Sequence, residues 1–177
     1  FKSITRQKGM TLVETMIVIG IIAVVVGLTL GIAPLVRADQ KSNELQQQVV
    51  QIASQTQALG RGHFNGFTEA TLVQSGKIPA SWIDGTGAGI AHTEGGTVTI
   101  VAADVNGGTD NGALITFTGV KKSSCNTILT NAQENFPVIA TSVASAKAYG
   151  AGPLDAAAIV AACNATGETV DLMLTIV

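Results

Sequence analysis

Three kinds of feature are missing from this sequence, and each absence removes a class of function. No Ser-His-Asp order, no cluster of His, Cys and carboxylates at metal-ligand spacing and no phosphate-cradling glycine loop is present. The two histidines, His63 and His92, lie far apart in glycine-rich stretches and read as solvated loop residues. The chain therefore reads as a non-enzyme with no cofactor and no metal. Asp104, Asn106 and Asp110 surround a glycine-rich turn and could bind calcium, but they lack the ligand spacing of a calcium loop, and turn formation is the better account. The net charge of −2 provides no basic patch for nucleic acid. Aromatic residues are scarce at 4%, charged residues at 12%, and neither an internal repeat nor a linker between domains is visible. Asn164-Ala165-Thr166 matches a glycosylation triplet, a motif that is common by chance.

What is present in excess is hydrophobicity, and it sits in one place. From Met10 to Ala33 nearly every side chain is apolar, with Glu14 the exception. About 24 residues make a helix of roughly 36 Å, enough to cross a bilayer core of about 30 Å. Lys2, Arg6 and Lys8 precede the run without an acid, the arrangement that keeps the extreme N-terminus in the cytoplasm and sends the rest outward. A cleaved secretory signal is the alternative, but its apolar core takes only about 7–15 residues. No small-x-small cleavage site closes this run, and the helical pattern continues past it.

Beyond Pro34, apolar residues recur at Leu45, Val49, Ile52 and Leu59, with Thr56 in the gap. Spacings of four and three place them in one stripe on a helix. Asp39, Lys41, Glu44 and a series of glutamines occupy the other face, and Gly60 is positioned as a C-cap. The reading is one helix from about Met10 to Leu59, apolar all round in its first half and amphipathic in its second, so that a folded domain can pack only on the second. Gly20, Gly27, Gly31 and Pro34 punctuate the first half. Each glycine weakens a helix by about 1 kcal/mol, and Pro34 removes a backbone hydrogen bond and predicts a kink.

Glu14 needs a reason, because a carboxylate in a spanning helix costs a few kcal/mol or more without a partner. One reading is a helix-end residue near the headgroups, favoured by the N-terminal dipole. Another starts from Gly9-Met10: cleavage between them would give Met10 a free amine four residues from Glu14.

These residues carry a resemblance. A basic leader, Gly9, the hydrophobic Met10, then Thr11-Leu12-Val13-Glu14 at the head of a long apolar helix resemble a type IV prepilin. Methionine at the mature start is similar to the type IVb subclass, such as the toxin-coregulated and bundle-forming pilins. The resemblance implies that residues 1–9 are a leader removed by a prepilin peptidase, which also methylates Met10. It implies that residues 10–34 form the transmembrane and filament-core half of the first helix, with 35–177 as the head domain. Glu14 is implied to pair with the Met10 amine of an adjacent subunit during assembly.

The remainder reads independently as an α+β domain, a long helix packed on an antiparallel sheet. Thr68–Gly76 is a short capped helix and 77–96 a loop containing Pro79 and Trp82. Thr97–Ala103 and Ala113–Val120 are strands joined by the turn-rich 106–112, a hairpin. Ser123 or Ser124 caps a helix through about Asn135, Val138–Val143 is a strand, Leu154–Ala162 a helix and Thr169–Val177 a last strand. Cys125 and Cys163 both lie in the exported part, and an even count in an oxidising compartment suggests one disulfide. By resemblance, that bond encloses an outward-facing C-terminal region.

The implied function is a structural subunit of a type IV pilus, held in the inner membrane as a single-span precursor and extracted through an assembly platform into an extracellular filament of identical subunits. Adhesion, aggregation, conjugation or motility would follow from the filament. A pseudopilin of a type II secretion system shares the N-terminus, although many lack the cysteine pair. A single-span exported binding domain that never polymerises is the reading from another class.

Overall fold

The computed structural model describes residues 12–177, and of 28–38 it describes the backbone alone. The described residues fall into two compact units, one ending at Gln40 and the other covering residues 41–177. One α-helix, α1 (Leu12–Gly60, 49 residues), contributes to both. The backbone is α-helical through Gly31 and Pro34.

In the second unit, α1 lays its stripe against the sheet. Leu45, Val49, Ile52 and Thr56 are buried, and Ala53 widens the stripe. Two polar residues belong to it as well. Thr56 turns its hydroxyl onto the Ile52 carbonyl at 2.8 Å, and Gln48 is buried with Oε1 accepting the Thr93 N–H at 3.1 Å. A buried amide is tolerated where it has such a partner. The helix ends at Gly60, but the left-handed turn expected of Gly60 falls on Arg61 (φ 47°) and Gly62 (φ 80°). Gly60 is glycine for a different reason: a Cβ there would strike the ring of the buried Phe64.

Three further helices and six strands complete the head. The sequence order is α2 (Glu69–Gln74), β1 (Ile90–Ala91), β2 (Thr97–Ala103), β3 (Gly112–Lys121), α3 (Lys122–Ala132), β4 (Val138–Thr141), β5 (Ser145–Lys147), α4 (Ala156–Ala162) and β6 (Thr169–Ile176). Short 3₁₀ turns cover Ala80–Trp82 and Gln133–Asn135. The strands form one antiparallel sheet in the order β1-β2-β3-β6-β4-β5. Register across the four central strands stacks apolar rows: Ile100, Ile115, Leu174 and Ile139 are successive partners, as are Val98, Phe117, Leu172 and Thr141. These residues are all buried, and the apolar ones belong to the same cluster as Leu45, Val49 and Ile52. The expected α+β architecture is therefore the observed one.

Three local readings are corrected. The strand expected over Val138–Val143 stops at Thr141 and is followed by a short edge strand, β5, and β1 lies inside the expected 77–96 loop. Neither Ser123 nor Ser124 caps α3, which starts one residue earlier behind Lys121. The capping is done from elsewhere in the chain: the Glu94 carboxylate accepts the Lys121 N–H at 2.8 Å and the Ser124 hydroxyl at 2.6 Å. A carboxylate near a helix N-terminus is favoured by the dipole, and spending Ser124 on it leaves that serine buried and satisfied.

His92 is the third correction, since it is buried rather than solvated. β3 and β6 slip register between Phe117 and Val120, leaving Thr118 and Gly119 opposite Asp171. Gly119 takes φ 70° there and donates its N–H to Asp171 Oδ1 at 2.9 Å. The bulge presents the Thr118 carbonyl to His92 Nε2 at 2.7 Å. A carbonyl can only accept, so Nε2 carries the hydrogen and Nδ1 is free to accept the Glu94 N–H at 3.3 Å. His92, Thr93 and Glu94 thus tie the β1–β2 turn to β3, α1 and α3 in three consecutive residues.

Candidate functional site

Two features carry the expected function, the N-terminal half of α1 and the disulfide-bounded region. In the first, every described side chain from Leu12 to Gly27 is exposed, including Leu12 at 73%, Met16 at 67% and Ile19 at 67%. An apolar surface of this kind on all sides of a helix marks a place where something else packs. Glu14 stands in the first turn, where the helix dipole favours an acid, and Thr15 donates its hydroxyl to the Leu12 carbonyl at 2.8 Å. Nothing within 4 Å would meet a Cβ at Gly20 or Gly27, so neither glycine serves packing within this chain. Gly31 and Pro34 lie in the helical backbone. Gly9 and Met10, the expected processing residues, lie outside the described residues.

The described apolar side chains cover 16 residues, about 24 Å of helix. Among the described residues no helix is long and apolar enough to cross a membrane.

In the second feature, Cys125 on α3 and Cys163 at the C-cap of α4 form a disulfide with Cα atoms 5.9 Å apart, both residues buried. α4 opens on Asp155, whose side chain accepts the Ala158 N–H at 2.7 Å, and buries Ile159 and Ala162. α3 buries Ile128, Leu129 and Ala132. Between the two helices the chain is held by Lys147, which is buried and donates from Nζ to the carbonyls of Gln133 at 2.6 Å and Phe136 at 3.0 Å. Sequence reasoning passed over Lys147. Its only signal was a lysine on a short strand among small residues, which is also how an exposed lysine looks.

The acidic groups of the glycine-rich turns hold local structure. Asp104 Oδ1 accepts the Asp110 N–H at 2.8 Å, and Asp110 Oδ2 accepts from Asn65 Nδ2 at 2.9 Å. His63 is exposed. No group of three or more His, Cys, Asp and Glu is placed to hold a metal among the described residues. Asp84 Oδ1 gathers the Thr86 hydroxyl at 2.6 Å and the N–H groups of Thr86 and Gly89. These bonds, the Thr86 hydroxyl foremost, hold its carboxyl below the usual aspartate range. A depression of about 700 Å³ along α1 is lined by Asn43, Gln46, Gln47, Val50, Gln51 and Ser54, none of which can act as an acid or base at neutral pH.

Comparison with known proteins places these features in a family. The family model described as PilS N terminal matches residues 39–177, well over half of the chain. The chain belongs to the PilS family. Ahead of the PilS match, residues 4–30 match the prokaryotic N-terminal methylation motif, which spans Gly9, Met10 and Glu14. No curated protein matches the PilS chain. Among solved structures it is similar to TcpA, a type IV pilin from Vibrio cholerae El Tor biotype, with 16% identity and a TM-score of 0.57 over 78% of this chain and 99% of that one. It is also similar to a type IVb pilin from Salmonella typhi, with 18% identity and a TM-score of 0.54 over 77% and 97% of the two chains. At such identities the likeness is one of fold. The chain thus joins an N-terminal methylation motif to a PilS head that has the fold of these two pilins, with a disulfide in its C-terminal region.

Proposed function

We propose that this pilin is the repeating structural subunit of a type IVb pilus. One observation carries the reading: the methylation motif runs directly into a helix whose described side chains from Leu12 to Gly27 are exposed and mostly apolar. Burying a Val, Leu or Ile side chain gains about 1.5–3 kcal/mol. A subunit with many of them exposed is stable in lipid or against copies of itself, and poorly so in water. The subunit waits in the inner membrane with residues 10–34 in lipid and the head exported. A prepilin peptidase cuts between Gly9 and Met10 and methylates Met10, and an inner-membrane assembly platform draws the subunit into the filament. Apolar helices then take the place of lipid around one another. Gly20 and Gly27, which make room for nothing in their own chain, suit close approach between neighbouring helices, as small residues do in membrane packing. Adhesion, aggregation, conjugation or motility are uses of such a filament.

Glu14 sets the order of assembly in this reading by pairing with the Met10 amine of an adjacent subunit. The test is electron microscopy and intact mass of sheared surface filaments from cells carrying the native chain or Glu14→Val. The native chain is expected in long fibres, with a mass that starts at a methylated Met10. Glu14→Val should leave the membrane pool of folded subunit intact and abolish or sharply reduce fibres, since an unpaired amine in an apolar bundle costs about 3–5 kcal/mol. Fibres retaining residues 1–9 would sink the processing step. Normal fibre yield from Glu14→Val would reduce Glu14 to a helix-end charge.

A further inference from the structure

The chain contains three Asn-Gly pairs, Asn65-Gly66, Asn106-Gly107 and Asn111-Gly112, and the fold gathers them at one end of the head. The Phe64 N–H donates to the Asp110 carbonyl at 2.8 Å, so the loop after α1 and the β2–β3 loop are neighbours. Asn-Gly is the pair most open to self-modification, because glycine has no side chain to hinder attack of its nitrogen on the asparagine amide. The three pairs are chemically alike in sequence and differ only in how the fold restrains them.

Asn111 is the most restrained. Its Oδ1 accepts the Val105 N–H at 2.8 Å, its Nδ2 donates to the Val105 carbonyl at 3.0 Å, and Val105 is buried. The following Gly112 is buried in β3 opposite Ala103. Asn65 is exposed, yet its Nδ2 donates to Asp110 Oδ2 at 2.9 Å, and the Phe67 N–H to Phe64 carbonyl bond closes its turn at 2.9 Å. Asn106 and Gly107 are both exposed, and the Asn106 side chain makes no hydrogen bond among the described residues. Asn106 rests in the left-handed region at φ 50°, and Gly107 follows at φ 79°. Cyclisation requires the chain to leave that turn so that the Gly107 nitrogen can face Cγ. The bond closing the turn is Gly108 N–H to the Val105 carbonyl at 3.0 Å, and a single bond on an exposed loop opens readily.

We infer that Asn106 is a site of spontaneous deamidation in the folded pilin, and that Asn65 and Asn111 are protected by the hydrogen bonds that hold their amides. The Gly107 nitrogen gives up its proton to solvent base and attacks Cγ of Asn106. The bond from Cγ to Nδ2 breaks, and that nitrogen leaves as ammonia with a proton from solvent. Water then opens the cyclic imide. Cleavage at Cγ restores the normal backbone with aspartate at 106, and cleavage at the main-chain carbonyl routes the backbone through the side chain as isoaspartate. No oxidant or reductant is involved, and water is the co-reactant. Either product adds a negative charge to the loop that already holds Asp104 and Asp110. A long-lived subunit thus acquires charge at this end of the head as it ages.

The experiment is incubation of the intact native chain in mildly alkaline buffer, with peptide mapping by mass and enzymatic isoaspartate labelling, alongside the same chain in guanidinium. In the folded chain, acid at 106 should accumulate roughly tenfold or more faster than at 111, the factor that two extra hydrogen bonds to be opened imply. Conversion at 65 should fall between. In guanidinium the three rates should converge. Equal rates in the folded chain, or Asn111 leading, would overturn the inference. So would a difference that persisted in guanidinium, since the fold would then not be its cause. Asn106→Asp serves as the control: it should remove the fast phase and leave the slower two unchanged, and a fast phase that survived would place the reaction elsewhere.

Discussion

The two ends of α1 are the same secondary structure with opposite dependence on surroundings. From residue 41 onward the helix has a stripe, and the stripe is satisfied inside the chain: Leu45 and Ile52 are fully buried against the sheet. From Leu12 to Gly27 it has no stripe, and the described side chains are exposed all round. Helix propensity alone does not make these lengths persist in water, because most helical stability comes from packing of a face. The lesson is that one element can belong to a fold at one end and to an assembly at the other. The two parts should then respond differently to mutation.

The largest expected effect is confined to the head. Replacing Cys125 and Cys163 together by serine opens a bond between residues 38 apart and should cost roughly 3–4 kcal/mol in the loop-entropy account. Urea unfolding followed by the single tryptophan, Trp82, reads it directly. A loss below about 1 kcal/mol would mean that α3 and α4 are held by packing alone. Next comes a matched pair of truncations. Ile52→Ala should cost the head about 3 kcal/mol, and Ile19→Ala less than about 0.5 kcal/mol, when both are unfolded in detergent. Equal losses would break the contrast between the ends of α1. Ile19→Ala is expected to show itself instead as lower filament yield.

A smaller effect is expected at Lys147. Lys147→Met keeps the apolar stem and removes the donor to the Gln133 and Phe136 carbonyls, with an expected loss of about 2 kcal/mol. Unchanged stability would show that water takes over both carbonyls. The smallest concerns Asp84. Its carboxyl is held below the usual range, so whatever order it gives the 84–89 loop is present above the unfolded aspartate value, about 3.9, and is lost as pH falls through the lower folded value. Amide exchange at Thr86 and Gly89 should therefore stay slow down to that range and quicken only below it. Quickening at higher pH would contradict the assigned bonds.

Much of the fold was legible because it follows from periodicity. The stripe at Leu45, Val49, Ile52 and Thr56, the strand at Thr97–Ala103 and the turn chemistry before β3 all rest on neighbours in sequence. The misreadings share a cause of the opposite kind. Ser124 has the residue type of a cap, but its partner is Glu94, thirty positions away. His92 sits in a glycine-rich stretch that promised solvent, and a bulge in β3 brings a carbonyl to meet it. β1 and β5 have two and three residues, too few for alternation to be seen. For the candidate site, the Gly9, Met10 and Glu14 spacing and the cysteine pair were plain in the sequence. The support that Lys147 gives to the disulfide-bounded region was not, because it depends on two carbonyls that only the folded chain brings within reach.

The place of β6 in the sheet has a consequence for how the head is made. β1, β2 and β3 form one group and β4 and β5 another, and the two are joined only by β6 lying between β3 and β4. A ribosome delivers the chain from its other end, so the sheet stays in two unconnected halves while most of its strands are already available. Pairing β6 with β3 closes a loop of nearly fifty residues, a non-local step of the kind that slows folding. Until that pairing forms, the two strand groups have no shared edge, and β6 is the piece that joins them.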